Sequence, residues 1–168
     1  MPQSREWQKL DQAQKRLITN FHGIGEVPIG AIARELGLSI KVANLGPGIS
    51  GQISSVDGNY VIKVNRFEAK ERQRYTIAHE IAHFLLHRDV IDSSINGISD
   101  NVLYRSGAPE HIEFEANRLA ADILMPTDKV KSKLAEFGGA ISEAVIVEIA
   151  NYFRVSKAAM EIRLGNLA

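Results

Sequence analysis

Ile77-Ala78-His79-Glu80-Ile81-Ala82-His83-Phe84-Leu85-Leu86-His87 is the stretch that decides how the rest of this 168-residue chain is read. Residues four apart lie on one face of a helix, so His79 and His83 can point at a single ion. Glu80, the next residue round, lies beside that pair and can reach a water held there. Ile77, Ala78, Ile81, Ala82, Phe84, Leu85 and Leu86 make the same segment a core helix, running from about Phe67 to His87. Two imidazoles and a carboxylate inside such a helix are costly unless something satisfies them, and a metal would. The competing account is a pair of hydrogen-bonded core histidines.

A catalytic zinc needs a third protein ligand and an open fourth position. The chain has no cysteine, so the third ligand is His, Asp or Glu. A longer motif with a third histidine would need Gly at 86 and His at 89, where the chain has Leu86 and Asp89. His87 lies about 12 Å along the helix axis from His79. Its expected place is the helix C-terminus, where a ring able to carry positive charge is favourable. The better source is Glu113-Phe114-Glu115-Ala116-Asn117. Glu113 and Glu115 point about 200° apart on a helix, so only one faces the metal. Glu113 shares a face with Asn117, Ala120, Ala121 and Leu124, and two alanines would allow close helix approach. Glu115 shares a face with Arg118 and Asp122, which reads as a solvent-facing charged stripe. Glu113 is therefore the expected third ligand, and Asn117 an orienting partner.

In this assignment one zinc per chain is held by His79, His83 and Glu113, and activates water while polarising the scissile carbonyl. Glu80 takes the water's proton and returns it to the leaving amine. Tyr104, Arg105 and His111 are open candidates for the donor that stabilises the oxyanion.

The remainder of the chain reads as α+β. Residues 5–21 carry helical spacing through Trp7, Leu10, Leu17, Ile18 and Phe21. A shorter helix starts near Pro28 and stops at Gly37. Lys41–Leu45, Gln52–Val56 and Tyr60–Asn65 predict three short strands, the last two joined by an Asp57-Gly58-Asn59 hairpin. They form a small antiparallel three-stranded sheet packed on a mostly helical body. Residues 88–109 read mostly as loop. A helix follows from Pro109 to Met125, Thr127 can cap the next, and Ser142 and Ser156 can cap two more. We expect a single domain over residues 1–168, with its core at about 40–137 and a C-terminal helical, helix-turn-helix-like segment at about 139–168.

Twenty basic and twenty acidic residues leave no net charge, which removes bulk attraction to nucleic acid or anionic membrane. Met1 to Lys9 has no apolar core for a signal peptide, and no apolar run approaches a membrane span. The expected location is the cytoplasm.

Two blocks of this sequence resemble the ImmA/IrrE family of zinc metallopeptidases. One is Ile62-Lys63-Val64-Asn65, followed by Arg72-Gln73-Arg74-Tyr75-Thr76-Ile77-Ala78 and the segment through His87. The other runs from Glu113 through Asn117, Leu119 and Asp122 to Met125-Pro126, with a weaker match from Val155-Ser156 to Arg163-Leu164. Leu119 stands where the family commonly has Phe, and Asn117 where related peptidases have Asp. The resemblance implies a reduced thermolysin-like (zincin-like) fold, Glu113 as third ligand, and a role in bacterial or phage regulation. It also implies a Cro/repressor-like helix-turn-helix protein as substrate or cognate partner, in some cases within a toxin–antitoxin-like module. One rival reading is a DNA-binding regulator with a structural zinc. Only Arg154, Lys157 and Arg163 lie near the C-terminal helices, so direct DNA binding is not expected. The other is a partner of a repressor that acts without proteolysis. An extended substrate peptide is expected to pair as an added strand at a sheet edge near Tyr60–Asn65, bordered by residues 88–109.

Overall fold

The computed structural model of the chain describes residues 3–101 and 109–167. Its elements run α1 (Arg5–Lys9), α2 (Gln12–Thr19), α3 (Ile29–Glu35), β1 (Ser39–Ala43), β2 (Ile49–Val56), β3 (Asn59–Asn65), α4 (Lys70–Leu86), α5 (Arg88–Ser93), β4 (Ile98–Asn101), α6 (Glu110–Leu124), α7 (Thr127–Glu136), α8 (Glu143–Phe153) and α9 (Lys157–Gly165). The architecture is α+β, as the sequence predicts, with three differences of detail.

The first concerns the N-terminus, where the single expected helix is two. Asp11 is extended, and its side chain accepts a hydrogen bond from the Gln14 backbone N–H. The Gln14 side chain accepts one from the Asp11 N–H in return. This capping box starts a new helix at Gln12.

The second concerns the sheet, which has four strands among the described residues, in the order β1-β3-β2-β4. β2 and β3 form the expected hairpin, turning through Asp57 and Gly58, both left-handed at φ 52° and 78°. β1, however, pairs parallel to β3, with Ser39 opposite Val61 and Ala43 opposite Asn65. The sheet is therefore mixed rather than antiparallel. The Gly46-Pro47-Gly48 connection does not fold β2 back onto β1; it carries the chain across the slot that β3 then fills. β3 is consequently an interior strand. The expected edge at Tyr60–Asn65 does not exist, and the edges are β1 and β4.

The third concerns residues 88–101, read as loop but holding α5 and β4. α5 is six residues long, and β4 has four, pairing antiparallel to β2 with Ile98 opposite Ile53. Segments this short carry too few residues to display a period.

α4 lies between the sheet and α6. Ile53, Ile62 and Val64 of the sheet are buried, as are Ala78, Ile81, Ala82 and Phe84 of α4, and Ala116, Leu119, Ala120 and Ile123 of α6. Alanines 78, 82, 116 and 120 are fully covered, which lets α4 and α6 approach closely, whereas Ala121 is only half-buried. On the sheet side the close approach falls at Gly51. A Cβ there would stand 2.2 Å from the Thr76 methyl Cγ2 and 3.4 Å from Glu80 Oε1.

Ser142 and Ser156 cap α8 and α9 by accepting from the N–H of Val145 and Ala159. Thr127 does not cap α7. It is the first helical residue, and its hydroxyl accepts from Arg163. The Arg163 guanidinium also donates to the Met125 carbonyl and to Asp122 Oδ1, each at 2.9 Å. No described helix is long and apolar enough to cross a membrane.

Candidate metal centre

α4 and α6 bring His79, His83 and Glu113 together, as their spacing predicts. His79 Nε2 lies 3.1 Å from Glu113 Oε2 and 3.1 Å from His83 Nε2, and His83 Nε2 lies 3.4 Å from Glu113 Oε1. Donors about 2.0–2.1 Å from a tetrahedral ion stand about 3.3 Å from one another, so these separations match a zinc-sized site. Both rings are buried, at 3% and 0% exposure. Glu113 Oε1 is buried with no hydrogen-bond partner, an orphaned acceptor aimed where an ion would sit. The donor set fits a divalent metal.

The electrostatics agree with that fit. Burial works to raise the Glu113 pKa, but the adjoining His79 and His83 rings outweigh it and hold the carboxyl at about 2. Desolvation lowers the His83 pKa and so favours the neutral ring a metal requires. Glu80 is fully buried on the same helix, beneath the β2 backbone at Gly51.

The far ring nitrogens also have partners. His79 Nδ1–H donates to Asn117 Oδ1 at 2.9 Å, the orienting contact expected of Asn117. Tyr75 Oη donates to the same oxygen at 3.3 Å. Beside Asn117 opens a pocket of about 540 Å³, lined by Tyr75, Phe114, Ala121, Met125 and Ile162. Its lining comes from three helices distant in sequence, so no local pattern announces it.

Two expectations need correction. Glu115, Arg118 and Asp122 are not a solvent-facing stripe. Asp122 is fully buried against Arg163 and accepts from the Ser4 N–H. Arg118 makes two hydrogen bonds to the buried Glu6, at 2.8 and 2.9 Å. Glu115 takes Lys9 on one oxygen and the ring of His87 on the other. Helical spacing placed these groups on one face correctly, but α1 and α9 dock on that face and leave only Arg118 of the three exposed. His87 does cap the C-terminal end of α4, yet it is buried rather than simply facing the helix dipole. Of the oxyanion candidates, His111 is exposed in the first turn of α6, and Tyr104 and Arg105 lie outside the described residues.

Comparison with known proteins points the same way. The family model described as the IrrE N-terminal-like domain, a peptidase family, matches residues 32–165. The "Radiation response metalloprotease IrrE" of Deinococcus deserti is 38% identical over 81 residues, 48% of this chain and 27% of that protein. Its namesake from Deinococcus radiodurans is 40% identical over 79 residues, 46% of this chain and 23% of that protein. The matched segment thus spans about a quarter of the length of these curated relatives.

Proposed function

The chain belongs to the ImmA/IrrE family of metallopeptidases, and from that premise we propose that it is a zinc-dependent endopeptidase that makes limited cuts in a Cro/repressor-like helix-turn-helix partner. The observation that carries this reading is the convergence of His79, His83 and Glu113 with Glu80 buried alongside on the same helix. His79, His83 and Glu113 would hold the ion. When bound, zinc supplies a Lewis acid that activates water and polarises the scissile carbonyl. Glu80 does the proton work: its carboxylate accepts the proton of the attacking water and delivers it to the departing amine. Gly51 and the β2 backbone close over Glu80 and keep it in place.

An extended peptide is the form of substrate that suits this arrangement. Among the described residues β4 is the edge strand beside β2, and main-chain pairing there would lay a peptide along the sheet next to α4. An apolar side chain of that peptide would find room in the pocket beside Asn117. Folded proteins would resist except at exposed linkers, such as those flanking repressor DNA-binding domains. Direct DNA binding is disfavoured because the nearby cations are already engaged. Lys157 pairs with Glu143 and Glu161, Arg154 lies 3.9 Å from Glu26, and Arg163 is buried on Asp122.

The test is co-incubation of the zinc-loaded protein with a cognate repressor, read by mass spectrometry. We expect one or two cuts, none with Glu80→Gln, and zinc retained in Glu80→Gln but lost in His83→Ala. Cleavage that persists in Glu80→Gln, or general digestion of unrelated folded proteins, would sink the reading. Full biological activity in Glu80→Gln would instead establish a partner that works without proteolysis.

A further inference from the structure

We propose that His87 and Glu115 act as a positioning relay that fixes the tautomer of His83 and so presents its Nε2 lone pair to the metal. The inference rests on the reading that His79, His83 and Glu113 hold an ion.

His79, His83 and His87 stand at successive four-residue steps and share one face of α4. The first two turn Nε2 toward Glu113. The third stays outside that cluster and makes a different contact: its Nδ1 lies 3.0 Å from His83 Nδ1. Its Nε2 lies 2.8 Å from Glu115 Oε2. Both rings are buried, His83 completely, so bulk water cannot substitute for either partner.

A neutral imidazole carries one N–H and one lone pair, and a carboxylate only accepts. Glu115 accepts from His87 on one oxygen and from Lys9 on the other, the partner set of a carboxylate. A neutral His87 therefore puts its proton on Nε2, facing Glu115. That leaves the His87 Nδ1 lone pair facing His83, which puts the His83 proton on Nδ1. The His83 Nε2 lone pair is then directed at Glu113 and His79. The opposite tautomer of His83 would aim an N–H at the metal position and close it. Each ligand histidine thus has its own orienting arm: Asn117 for His79, and the two-residue relay for His83. The relay continues to the N-terminal helix through Lys9, which holds the second oxygen of Glu115.

The experiment measures zinc affinity by competition with a chromophoric chelator, and the visible spectrum of the cobalt-substituted protein, in four chains. These are the wild type, His87→Leu, His87→Gln and Glu115→Ala. Leu keeps bulk without an acceptor, whereas the Gln amide oxygen can accept from His83 Nδ1–H. Loss of such an outer partner costs about 10–100-fold in metal affinity. His87→Leu should lose affinity by about that factor and show a weakened tetrahedral cobalt spectrum. His87→Gln should stay within about threefold of wild type, and Glu115→Ala should fall between. Melting of the metal-free proteins shows whether each variant folds. Should His87→Leu fail to fold, Glu115→Ala against wild type still decides. Unchanged affinity in the folded variants, or His87→Gln no better than His87→Leu, overturns the relay while leaving the metal reading intact. A wild-type chain that takes no zinc overturns both.

Discussion

Replacing Gly51 by alanine tests how tightly the sheet is seated on Glu80. The new Cβ would stand 2.2 Å from Thr76 Cγ2 and 3.1 Å from the Lys63 carbonyl oxygen. Ordinary carbon contact is about 3.5–4.0 Å, so the methyl pair is short by about 1.3–1.8 Å. Thr76 is fully buried in α4, and its branched side chain has few rotamers with which to yield. Either β2 lifts or α4 shifts. Overpacking of this kind costs about 1–3 kcal/mol. For a chain of this length that is a fall in Tm of about 2–12 °C. Glu80 Oε1 lies 3.4 Å from the same Cβ, so the displacement reaches the proposed proton-transfer group, and a misplacement of about 1 Å costs about 100-fold in kcat. Zinc affinity should hold, because Gly51 faces Glu80 rather than the ligands. The assays are thermal melting, peptidase turnover and zinc titration on Gly51→Ala, Thr76→Ser and the double variant. Thr76→Ser removes the clashing methyl, so the double variant should recover turnover, with a coupling of about 1–2 kcal/mol in stability. Strictly additive effects would refute the steric account.

Glu6 provides a pH test. The hydrogen bond from Arg118 is the main cause that holds its pKa below 4.5, against a burial that would raise it. A depressed carboxyl pKa contributes stability above the unfolded value and loses it as pH falls through the folded one. The Tm advantage of wild type over Glu6→Gln should be steady from pH 7 to about 5 and shrink below about 4.5. At neutral pH the stability difference should be about 1 kcal/mol, since the half-exposed guanidinium is screened by solvent. Arg163→Met removes the cation paired with the fully buried Asp122 carboxylate and strips a donor from Met125 and Thr127. We expect a loss of about 3–5 kcal/mol by melting, relieved in Arg163→Met/Asp122→Asn.

Much of the site is legible in the sequence because its determinants are local. The His79–His83 step follows from helical angle, and the choice of Glu113 over Glu115 from the alanines that share its face. The Asp57-Gly58 turn and the Ser142 and Ser156 caps are local too. What spacing does not show is which partner covers a given face. Glu115, Arg118 and Asp122 look like a solvated stripe until α1 and α9 dock on them. The parallel pairing of β1 with β3 is a crossover, invisible to alternation patterns within each strand. The break at Asp11 was legible in principle, since Asp11 followed three residues later by Gln14 is a capping box. The apolar spacing of Leu10, Leu17 and Ile18 runs across it undisturbed and hides it. His87 is the instructive case: counting residues rules it out as a metal ligand, and only the packing reveals that its ring reaches His83.

The segment before residue 32 falls outside the stretch matched by the family, yet three of its groups are fastened to α6. Ser4 bonds Asp122, Glu6 bonds Arg118, and Lys9 bonds Glu115. A piece cut at the limit of similarity would therefore be a poor specimen for biochemistry. It would keep His79, His83 and Glu113, yet expose an α6 flank built to be covered and release the carboxylate behind His87. Shared ancestry and mechanical integrity draw different borders on this chain, and the second is the one to respect when choosing where a shortened version begins.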